Sequence, residues 1–229
     1  MSNSSLFDWI SDCPLSCDLA FETAAMAEGC RRIAGIDEVG RGALFGPVCA
    51  GAVVLDLNRV PSGINDSKKL SAKQRLQLAE NIRGTALDYA VAFVEAATID
   101  RINILEATKE AMRLALRGLK QLPDIVLCDG LFIDGISIPQ KCIIKGDARS
   151  KSIGAASILA KVERDGLISE LDAQFPGYDL ARNKGYGTWK HLEALKQLGP
   201  TSLHRVTFRG VRQEEERPVS GNQIRFAEL

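Results

Sequence analysis

Residues 33–55, IAGIDEVGRGALFGPVCAGAVVL, place two apolar segments on either side of a glycine-rich one. The segments RRIAGID and VCAGAVVLDL are predicted as strands, and GRGALFGP is predicted as the turn between them. Asp37 and Glu38 lie side by side at the end of the first strand, directly before Gly40-Arg41-Gly42. Adjacent carboxylates at the end of a buried strand repel each other, so their presence here calls for an explanation.

Further strands and helices follow along the chain. Three more apolar segments, LDYAVAFVEA, DIVLCDG and KCIIKGD, are predicted as strands. Ser71 and Gln74 form a capping-box pattern that predicts a helix from about residue 72 to 83. Other helices are predicted at 17–29, at 100–119, near 189–198, and after a Ser152 cap, where small residues could press against a sheet. This order predicts a mixed α/β sheet.

The bulk composition is that of an ordinary globular protein. The chain has 229 residues, 45% of them hydrophobic and 25% charged, which fits one domain. Its formal net charge is zero, but residues 1–30 hold acids without Lys or Arg, whereas residues 175–212 are basic. No segment resembles a signal peptide or a membrane span, so a cytoplasmic location is predicted. The six cysteines, among them Cys13 and Cys17, do not complete a zinc set or suggest a disulfide framework.

Acidic residues follow three of the predicted strands. They are Asp37 with Glu38, Asp129 and Asp147. If these strands are neighbours, the four carboxylates converge at one edge of the sheet, where they need cations or raised pKa values. Carboxylate oxygens favour Mg²⁺ or Mn²⁺, and two such ions about 3.5–4 Å apart can assist hydrolysis of a phosphodiester. The alternative for Asp129 or Asp147 taken singly is an ordinary Asp-containing turn.

The residues also carry a family resemblance. GIDEVGRGALFGPV resembles the first motif of the ribonuclease HII family, and DSKKLS, CDG, KGDARSKSIGAASILAKVERD, NKGYGTWKHLEAL and LGPTSLHRVTF resemble the later motifs in the family's order. The resemblance covers residues 30–210. It implies an RNase H-like fold, with a mixed five-stranded sheet flanked by helices and a small helical C-terminal part. It also implies an N-terminal extension at 1–30, a catalytic domain at 31–178, a substrate-binding part at 179–212 and a tail at 213–229.

The resemblance further implies an activity and a cofactor. Family members hydrolyse the RNA strand of RNA–DNA hybrids and nick DNA duplexes on the 5′ side of embedded ribonucleotides, leaving a 3′-hydroxyl and a 5′-phosphate. They use Mg²⁺ or Mn²⁺, with two ions expected when substrate is bound. The family's catalytic, metal-binding acids correspond to Asp37, Glu38, Asp129 and Asp147.

Substrate-binding residues are implied in the same way. Gly40, Arg41 and Gly42 correspond to the motif that reads the ribose 2′-hydroxyl, and Tyr186 to the tyrosine that stacks on the next deoxyribose. Ser67 and Lys68 correspond to phosphate contacts. For Gly40 and Gly42 a tight turn is also expected, Lys68 could equally be a solvated lysine, and the contacts of His204 and Arg205 stay open.

Three rival functions compete with this interpretation. Ribonuclease HIII shares the acids but has an additional N-terminal domain, for which the residues before Asp37 are too few. Another RNase H-like nuclease would lack the glycine-arginine-glycine motif. A non-catalytic nucleic-acid-binding domain would not need all four acids. A monomer is expected, and GNQIRFAEL at residues 221–229 faintly resembles a sliding-clamp-binding peptide.

Overall fold

A mixed five-stranded sheet forms the centre of the molecule. The computed structural model describes residues 16–211, so Cys13, the first half of the predicted extension and the predicted tail lie outside the described residues. The strands are β1 (Ile33–Val39), β2 (Val48–Val54), β3 (Asp88–Val94), β4 (Ile125–Asp129) and β5 (Gln140–Ile143). Their order is β3-β2-β1-β4-β5, with β1–β2 and β2–β3 antiparallel and β1–β4 and β4–β5 parallel. The predicted mixed α/β sheet is confirmed.

Helices cover both faces of this sheet. They are α1 (Ala20–Ala27), α2 (Ala72–Thr85), α3 (Ala96–Ile102), α4 (Ile104–Arg117), α5 (Lys151–Leu171), α6 (Leu180–Asn183) and α7 (Trp189–Leu198). On one face, α4 buries Ala111 and Met112 against β1 and β2. On the other face α5 packs closely, because a Cβ on Gly35 or Gly51 would lie 2.1 or 2.5 Å from the α5 backbone. The small residues at the start of α5 therefore press against the sheet, as the sequence predicts.

Two predicted helix boundaries are wrong. The helix predicted from residue 100 to 119 is two helices, α3 and α4, because Asn103 has a φ of 67° and ends the first. The Asn103 side chain then caps α4 by accepting hydrogen bonds from the N–H groups of Leu105 and Glu106. The predicted cap of α5 is also misplaced, since Ser150, not Ser152, accepts the hydrogen bond from the Ile153 N–H.

The C-terminal helices share a small core with the segment after β1. Leu180 of α6 and Leu195 of α7 pack with Phe45 and with Ile168 of α5. The predicted boundary near residue 178 stays a prediction. Between residues 16 and 211, no helix combines the length and the apolar character needed to cross a membrane.

Candidate active site

Two of the predicted acids lie on neighbouring parallel strands. Asp37 is in β1 and Asp129 is the last residue of β4, so both reach the same edge of the sheet. Asp37 is buried and faces α5, where hydrogen bonding to Ser157 favours the charged form of Asp37 and so lowers its pKa in part. Its backbone partner on β2 is Gly51, whose missing side chain leaves α5 room to approach.

Asp147 reaches this edge from a turn and not from the end of a strand. β5 ends at Ile143, and Asp147 lies on a single 3₁₀ turn, Gly146–Ala148, that precedes α5. The Gly146 N–H donates a 2.7 Å hydrogen bond to Oδ1 of Asp129, which ties the turn to β4. Carboxylate oxygens of Asp37, Asp129 and Asp147 all lie within 4.8 Å of one another. These three residues are called the acid trio below.

Glu38 lies beside the acid trio but has a different partner. Its Oε1 is 3.1 Å from Nη1 of Arg41, and its buried Oε2 has no hydrogen-bond partner among residues 16–211. No basic partner for the two adjacent acids was predicted from the sequence, yet Arg41 is one. The arginine that is predicted to bind phosphate is therefore paired with a predicted metal ligand in this structure.

Burial, together with electrostatic repulsion between the acids, raises the pKa values in the acid trio. Burial, followed by repulsion from Glu38 and Asp129, raises the pKa of Asp37 well above its usual value. Burial also raises the pKa values of Asp129 and Asp147. Burial alone would lower the pKa of Lys68, but attraction to Asp147 and other acids outweighs it, so that pKa is raised.

These carboxylates fit a divalent cation. The oxygens are hard ligands within reach of one centre, and their raised pKa values show that the protein alone does not balance their charge. A bound Mg²⁺ or Mn²⁺ would supply the missing positive charge. Arg41 is paired with Glu38, Lys161 is paired with Asp165, and Lys68 alone is attracted to several of the acids, so the site favours cation binding over a purely structural turn.

The predicted substrate-binding residues line one cleft together with the acids. The cleft has a volume of about 480 Å³, and Asp37, Glu38 and Asp129 form part of its wall. The remaining predicted residues in its wall are Gly40, Arg41, Gly42, Ser67, Lys68 and Tyr186. The structure thus brings all six predicted binding residues to the acids.

Ser67 is less accessible than a phosphate contact needs to be. Its side chain is 2% exposed, and its hydroxyl lies 3.0 Å from the hydroxyl of Ser157. Ser67 is thus hydrogen-bonded to the serine that interacts with Asp37. Ser67 is therefore placed to orient Asp37 through Ser157, while Lys68 beside it faces the acids.

Two cleft residues were missed by the sequence analysis. Ser157 and Lys161 line the cleft from α5 at an i, i+4 spacing. Lys161 lies 5.7 Å from the ring centre of Tyr186 and pairs with Asp165 at 2.8 Å. Their spacing was visible in the sequence, but the side of α5 that faces the acids was not.

Two fully buried arginines hold the segments that carry Arg41 and Tyr186. Arg164 donates to the carbonyl oxygens of Phe45, Pro47 and Lys184 at 2.9–3.1 Å. Its guanidinium also lies 5.6 Å from the ring of Tyr186. Arg205 donates to the carbonyl oxygens of Gly46 and Arg41 at 3.0 and 2.8 Å. Arg205 therefore stabilises the backbone segment that carries Arg41 in the cleft wall.

A pair of buried histidines supports the backbone of Tyr186. The Thr201 N–H donates to Nδ1 of His204, and Nε2 of His204 lies 3.0 Å from Nε2 of His191. Nδ1 of His191 lies 3.0 Å from the Tyr186 carbonyl oxygen. Because the Thr201 N–H can only donate, His204 carries its proton on Nε2 and His191 carries its own on Nδ1. His204 therefore supports the fold beneath Tyr186.

Comparison with known proteins gives one consistent family. A family model described as Ribonuclease HII matches residues 34–211. The Ribonuclease HII of Syntrophotalea carbinolica is 52% identical over 195 residues, which are 85% of this chain and 93% of that protein. The Ribonuclease HII of Acetivibrio thermocellus is 50% identical over 188 residues, which are 82% and 73% of the two chains.

Solved structures agree with this similarity. The ribonuclease H2 of Pyrococcus horikoshii is 28% identical with a TM-score of 0.68, covering 80% of this chain and 96% of that one. The RNase HII of a PCNA:RNase HII complex from Archaeoglobus fulgidus is 31% identical with a TM-score of 0.65, covering 80% and 97%. Bst-RNase HIII in complex with Mn²⁺ shares the fold at 20% identity and a TM-score of 0.62, covering 79% and 68%.

Proposed function

The chain belongs to the ribonuclease HII family, which makes it a ribonuclease H that hydrolyses RNA in RNA–DNA hybrids, and we propose that it also nicks DNA duplexes at embedded ribonucleotides. Cleavage on the 5′ side would leave a 3′-hydroxyl and a 5′-phosphate, and would begin removal of ribonucleotides from DNA. The observation that carries this proposal is the cleft itself. The same cleft is lined by Asp37, Glu38 and Asp129 and by Gly40-Arg41-Gly42, so a sugar can be read beside the bond that is cut.

The acids have a collective role in this proposal. Asp37, Asp129 and Asp147, with Glu38 beside them, would hold two divalent cations, either Mg²⁺ or Mn²⁺. Such ions, when bound, promote attack by water on the phosphorus and stabilise the charge on the leaving oxygen. The Ser67–Ser157 hydroxyl chain keeps the Asp37 carboxylate oriented toward the cleft. Bst-RNase HIII was solved in complex with Mn²⁺, which supports Mn²⁺ as one of these two candidate ions.

The Gly40-Arg41-Gly42 part of the cleft has the features needed to recognise a sugar. Nothing lies within 4 Å of where a Cβ on Gly42 would be, so the main chain there is open to a ligand. The 2′-hydroxyl is what distinguishes RNA from DNA at a single nucleotide, and backbone groups can bind it. Arg41 would then exchange Glu38 for a phosphate, Lys68 and Lys161 would contact neighbouring phosphates, and Tyr186 would stack on the next sugar.

Cleavage of a duplex with one ribonucleotide tests the proposal. We expect the wild-type protein to nick it 5′ to the ribonucleotide in Mg²⁺ or Mn²⁺, and to leave it intact in EDTA. Asp37→Asn should abolish the nick and retain binding of the duplex. Full activity of Asp37→Asn in Mg²⁺, or cleavage of an all-DNA duplex at the same rate, would remove the proposal.

Tyr186 offers a second test with a matched control. Tyr186→Ala should slow cleavage at the junction of a single ribonucleotide, whereas Tyr186→Phe keeps the ring and should stay close to the wild type. Cleavage rates and melting temperatures measured together separate a loss of stacking from a loss of fold. An unchanged rate for Tyr186→Ala would exclude Tyr186 from the site.

A protein partner and a location complete the proposal. We expect a cytoplasmic monomer that binds a sliding clamp through residues 221–229, which lie outside the described residues. The Archaeoglobus fulgidus relative was solved in a complex with PCNA, and this supports a test in the present chain. Size-exclusion chromatography with light scattering should give one chain alone and a complex with clamp. Deletion of residues 221–229 should abolish the complex and leave nuclease activity unchanged.

A further inference from the structure

A segment before the sheet is bound to the turn that carries Asp147. The Lys151 N–H donates to the Asp18 carbonyl oxygen at 3.1 Å, and the Asp18 N–H donates to the Arg149 carbonyl oxygen at 3.4 Å. The Cys17 thiol lies 3.8 Å from the Asp147 carbonyl oxygen. Cys17 and Asp18 precede residue 34, where the match to the family model begins. The proposed reaction does not use their contacts.

Glu22 of α1 is the central contact in this arrangement. Its side chain is 0% exposed, and its Oε1 accepts hydrogen bonds from the Ser150 hydroxyl at 2.7 Å and the Ser152 N–H at 2.8 Å. The Ser150 oxygen in turn accepts from the Ile153 N–H at the start of α5. The hydroxyl proton of Ser150 is thus directed at Glu22. The other oxygen of Glu22 has no hydrogen-bond partner among residues 16–211.

A buried carboxylate with one unsatisfied oxygen is costly to retain. Phe21, Ala24 and Ala25 on the same helix already provide apolar packing against the sheet. Glu22 therefore adds something that packing does not, namely a fixed position for Ser150 and for the first N–H groups of α5. Those groups lack partners within the helix, so a fixed hydrogen-bond acceptor at this helix N-terminus is favourable.

The turn with Asp147 is held at both ends. At its start, the Gly146 N–H donates to Asp129. At its end, the Ser150 N–H donates to the Gly146 carbonyl oxygen at 2.8 Å, while the Ser150 hydroxyl donates to Glu22. Asp147 lies between these two attachments. A change at Glu22 would release the second attachment without touching the acid trio.

We propose that Glu22 is a positioning residue that holds Asp147 in the acid trio through Ser150 and the start of α5. The proposal rests on the proposed function, because it requires Asp147 to bind a metal ion. A purely structural role for Glu22 would lower stability without a specific effect on metal binding. The two roles are therefore separated by measuring metal affinity on folded protein.

Calorimetric titration with Mn²⁺, in the absence of nucleic acid, provides this measurement. Groups that orient metal ligands typically change metal affinity by about 10-fold to 100-fold when removed, and we expect Glu22→Ala to weaken Mn²⁺ binding by roughly this amount. Glu22→Gln keeps the accepting oxygen and should bind Mn²⁺ nearly as the wild type does. Ala25→Gly, in the same helix, should lower the melting temperature but leave the Mn²⁺ affinity unchanged.

A double variant tests whether the effect passes through Asp147. In an Asp147→Asn background, Glu22→Ala should cause little further loss of Mn²⁺ affinity, because the ligand that it positions is already altered. Should Glu22→Ala fail to fold, Glu22→Asp keeps the charge but shortens the side chain, and it should weaken Mn²⁺ binding in the same direction.

Two outcomes would overturn the inference alone. In the first, Glu22→Ala binds Mn²⁺ as tightly as Ala25→Gly does. If Glu22→Ala does not fold, the same comparison is made with Glu22→Asp. The other is a full additional loss in the Asp147→Asn background. A wild-type protein that binds no Mn²⁺ and cleaves no hybrid would instead overturn the proposed function, and with it the premise of this inference.

Discussion

Gly40 and Gly42 flank the same arginine but have different surroundings. Gly40 has a φ of +93°, and a Cβ there would lie 2.1 Å from Nε of the buried Arg164. Gly42 has neither constraint. The two readings from the sequence, a tight turn and an open approach to the sugar, therefore belong to different residues. Gly40 is required by the fold, and Gly42 leaves space for a substrate.

Alanine substitutions separate these two roles. Gly40→Ala should lower the free energy of unfolding by at least about 1–2 kcal/mol from backbone strain alone. Gly42→Ala should leave stability within about 0.5 kcal/mol of the wild type, yet slow cleavage at a single ribonucleotide. Urea unfolding and cleavage rates check both variants. Equal losses of stability in the two would contradict the distinction.

Asp37 links metal binding to the pH dependence of stability. Because its pKa is raised in the fold, the folded state binds its proton more tightly than the unfolded state does. Its contribution to stability is therefore lost as the pH rises from 3.8, the usual value, through the raised pKa. Metal-free Asp37→Asn should consequently be more stable than the wild type, with a larger difference at pH 7 than at pH 4.

Melting temperatures in EDTA and in Mg²⁺ check this prediction. A change of 1 kcal/mol moves the melting temperature by about 2–4 °C for a chain of this size. Mg²⁺ should raise the melting temperature of the wild type more than that of Asp37→Asn. Glu170→Gln, an exposed position on α5, serves as the control. A metal-free wild type as stable as Asp37→Asn at pH 7 would speak against the repulsion described here.

At this scale, the sequence predicted which residues lie together at the cleft better than it predicted their contacts. The adjacent acids, Asp129 and Tyr186 were all found from local patterns and from the family resemblance. The Arg41–Glu38 pair and the Ser67 hydroxyl chain were not, because both depend on the direction of side chains after the chain has folded.

Helices and strands were predicted where local rules decide them. The capping box at Ser71 and Gln74 is present, and α7 has the predicted bounds. The break at Asn103 was missed because apolar residues continue near helical spacing across it, and the break depends on one residue with positive φ. Asp147 was placed at a strand end because the length of β5 is set by its pairing with β4, which the sequence does not show.

The histidines of α7 and the following loop give a prediction about tautomers. The chain has only two histidines, so their imidazole signals can be assigned without ambiguity. Nitrogen-15 NMR at pH 7 should show His204 protonated on Nε2 and His191 on Nδ1. Burial, and then the neighbouring His191, lower the pKa of His204 to about 4, so it should titrate far below the usual 6.5.

The sign of this shift sets the response of the fold to acid. Below about pH 6.5 the unfolded chain binds a proton at His204 that the folded chain refuses, so stability falls as the pH drops toward about 4. His204→Gln should be less stable at pH 7 but should lose less stability between pH 7 and 5. A tautomer with the proton on Nδ1 of His204 would contradict the hydrogen-bond chain.

The whole molecule has no net charge, so binding of nucleic acid depends on the local arrangement of charges. Arg41, Lys68 and Lys161 line the cleft beside the acids. With about 0.9 counterions released per phosphate contact, these residues predict a slope of about −3 in log affinity against log salt concentration.

Single lysine substitutions test that slope. Lys161→Ala should reduce it by about 1, measured by fluorescence anisotropy with a ribonucleotide-containing duplex, in the cleavage-deficient Asp37→Asn background at constant Mg²⁺. Lys196→Ala is the matched control, because Lys196 is exposed on α7 and lies outside the cleft wall. An unchanged slope for Lys161→Ala would remove Lys161 from the phosphate contacts.

Helix α5 has a consequence for how the two halves of the cleft can change over evolution. Two residues on one face of this helix lie seven positions apart. Ser157 interacts with Asp37, and Arg164 holds the segments around Tyr186. At 1.5 Å per residue, these two positions are separated by about 10 Å along the axis of α5. One inserted residue between them would turn the second half by about 100° relative to the first. The loops around the cleft can therefore vary in length, but this stretch of helix cannot gain or lose a residue.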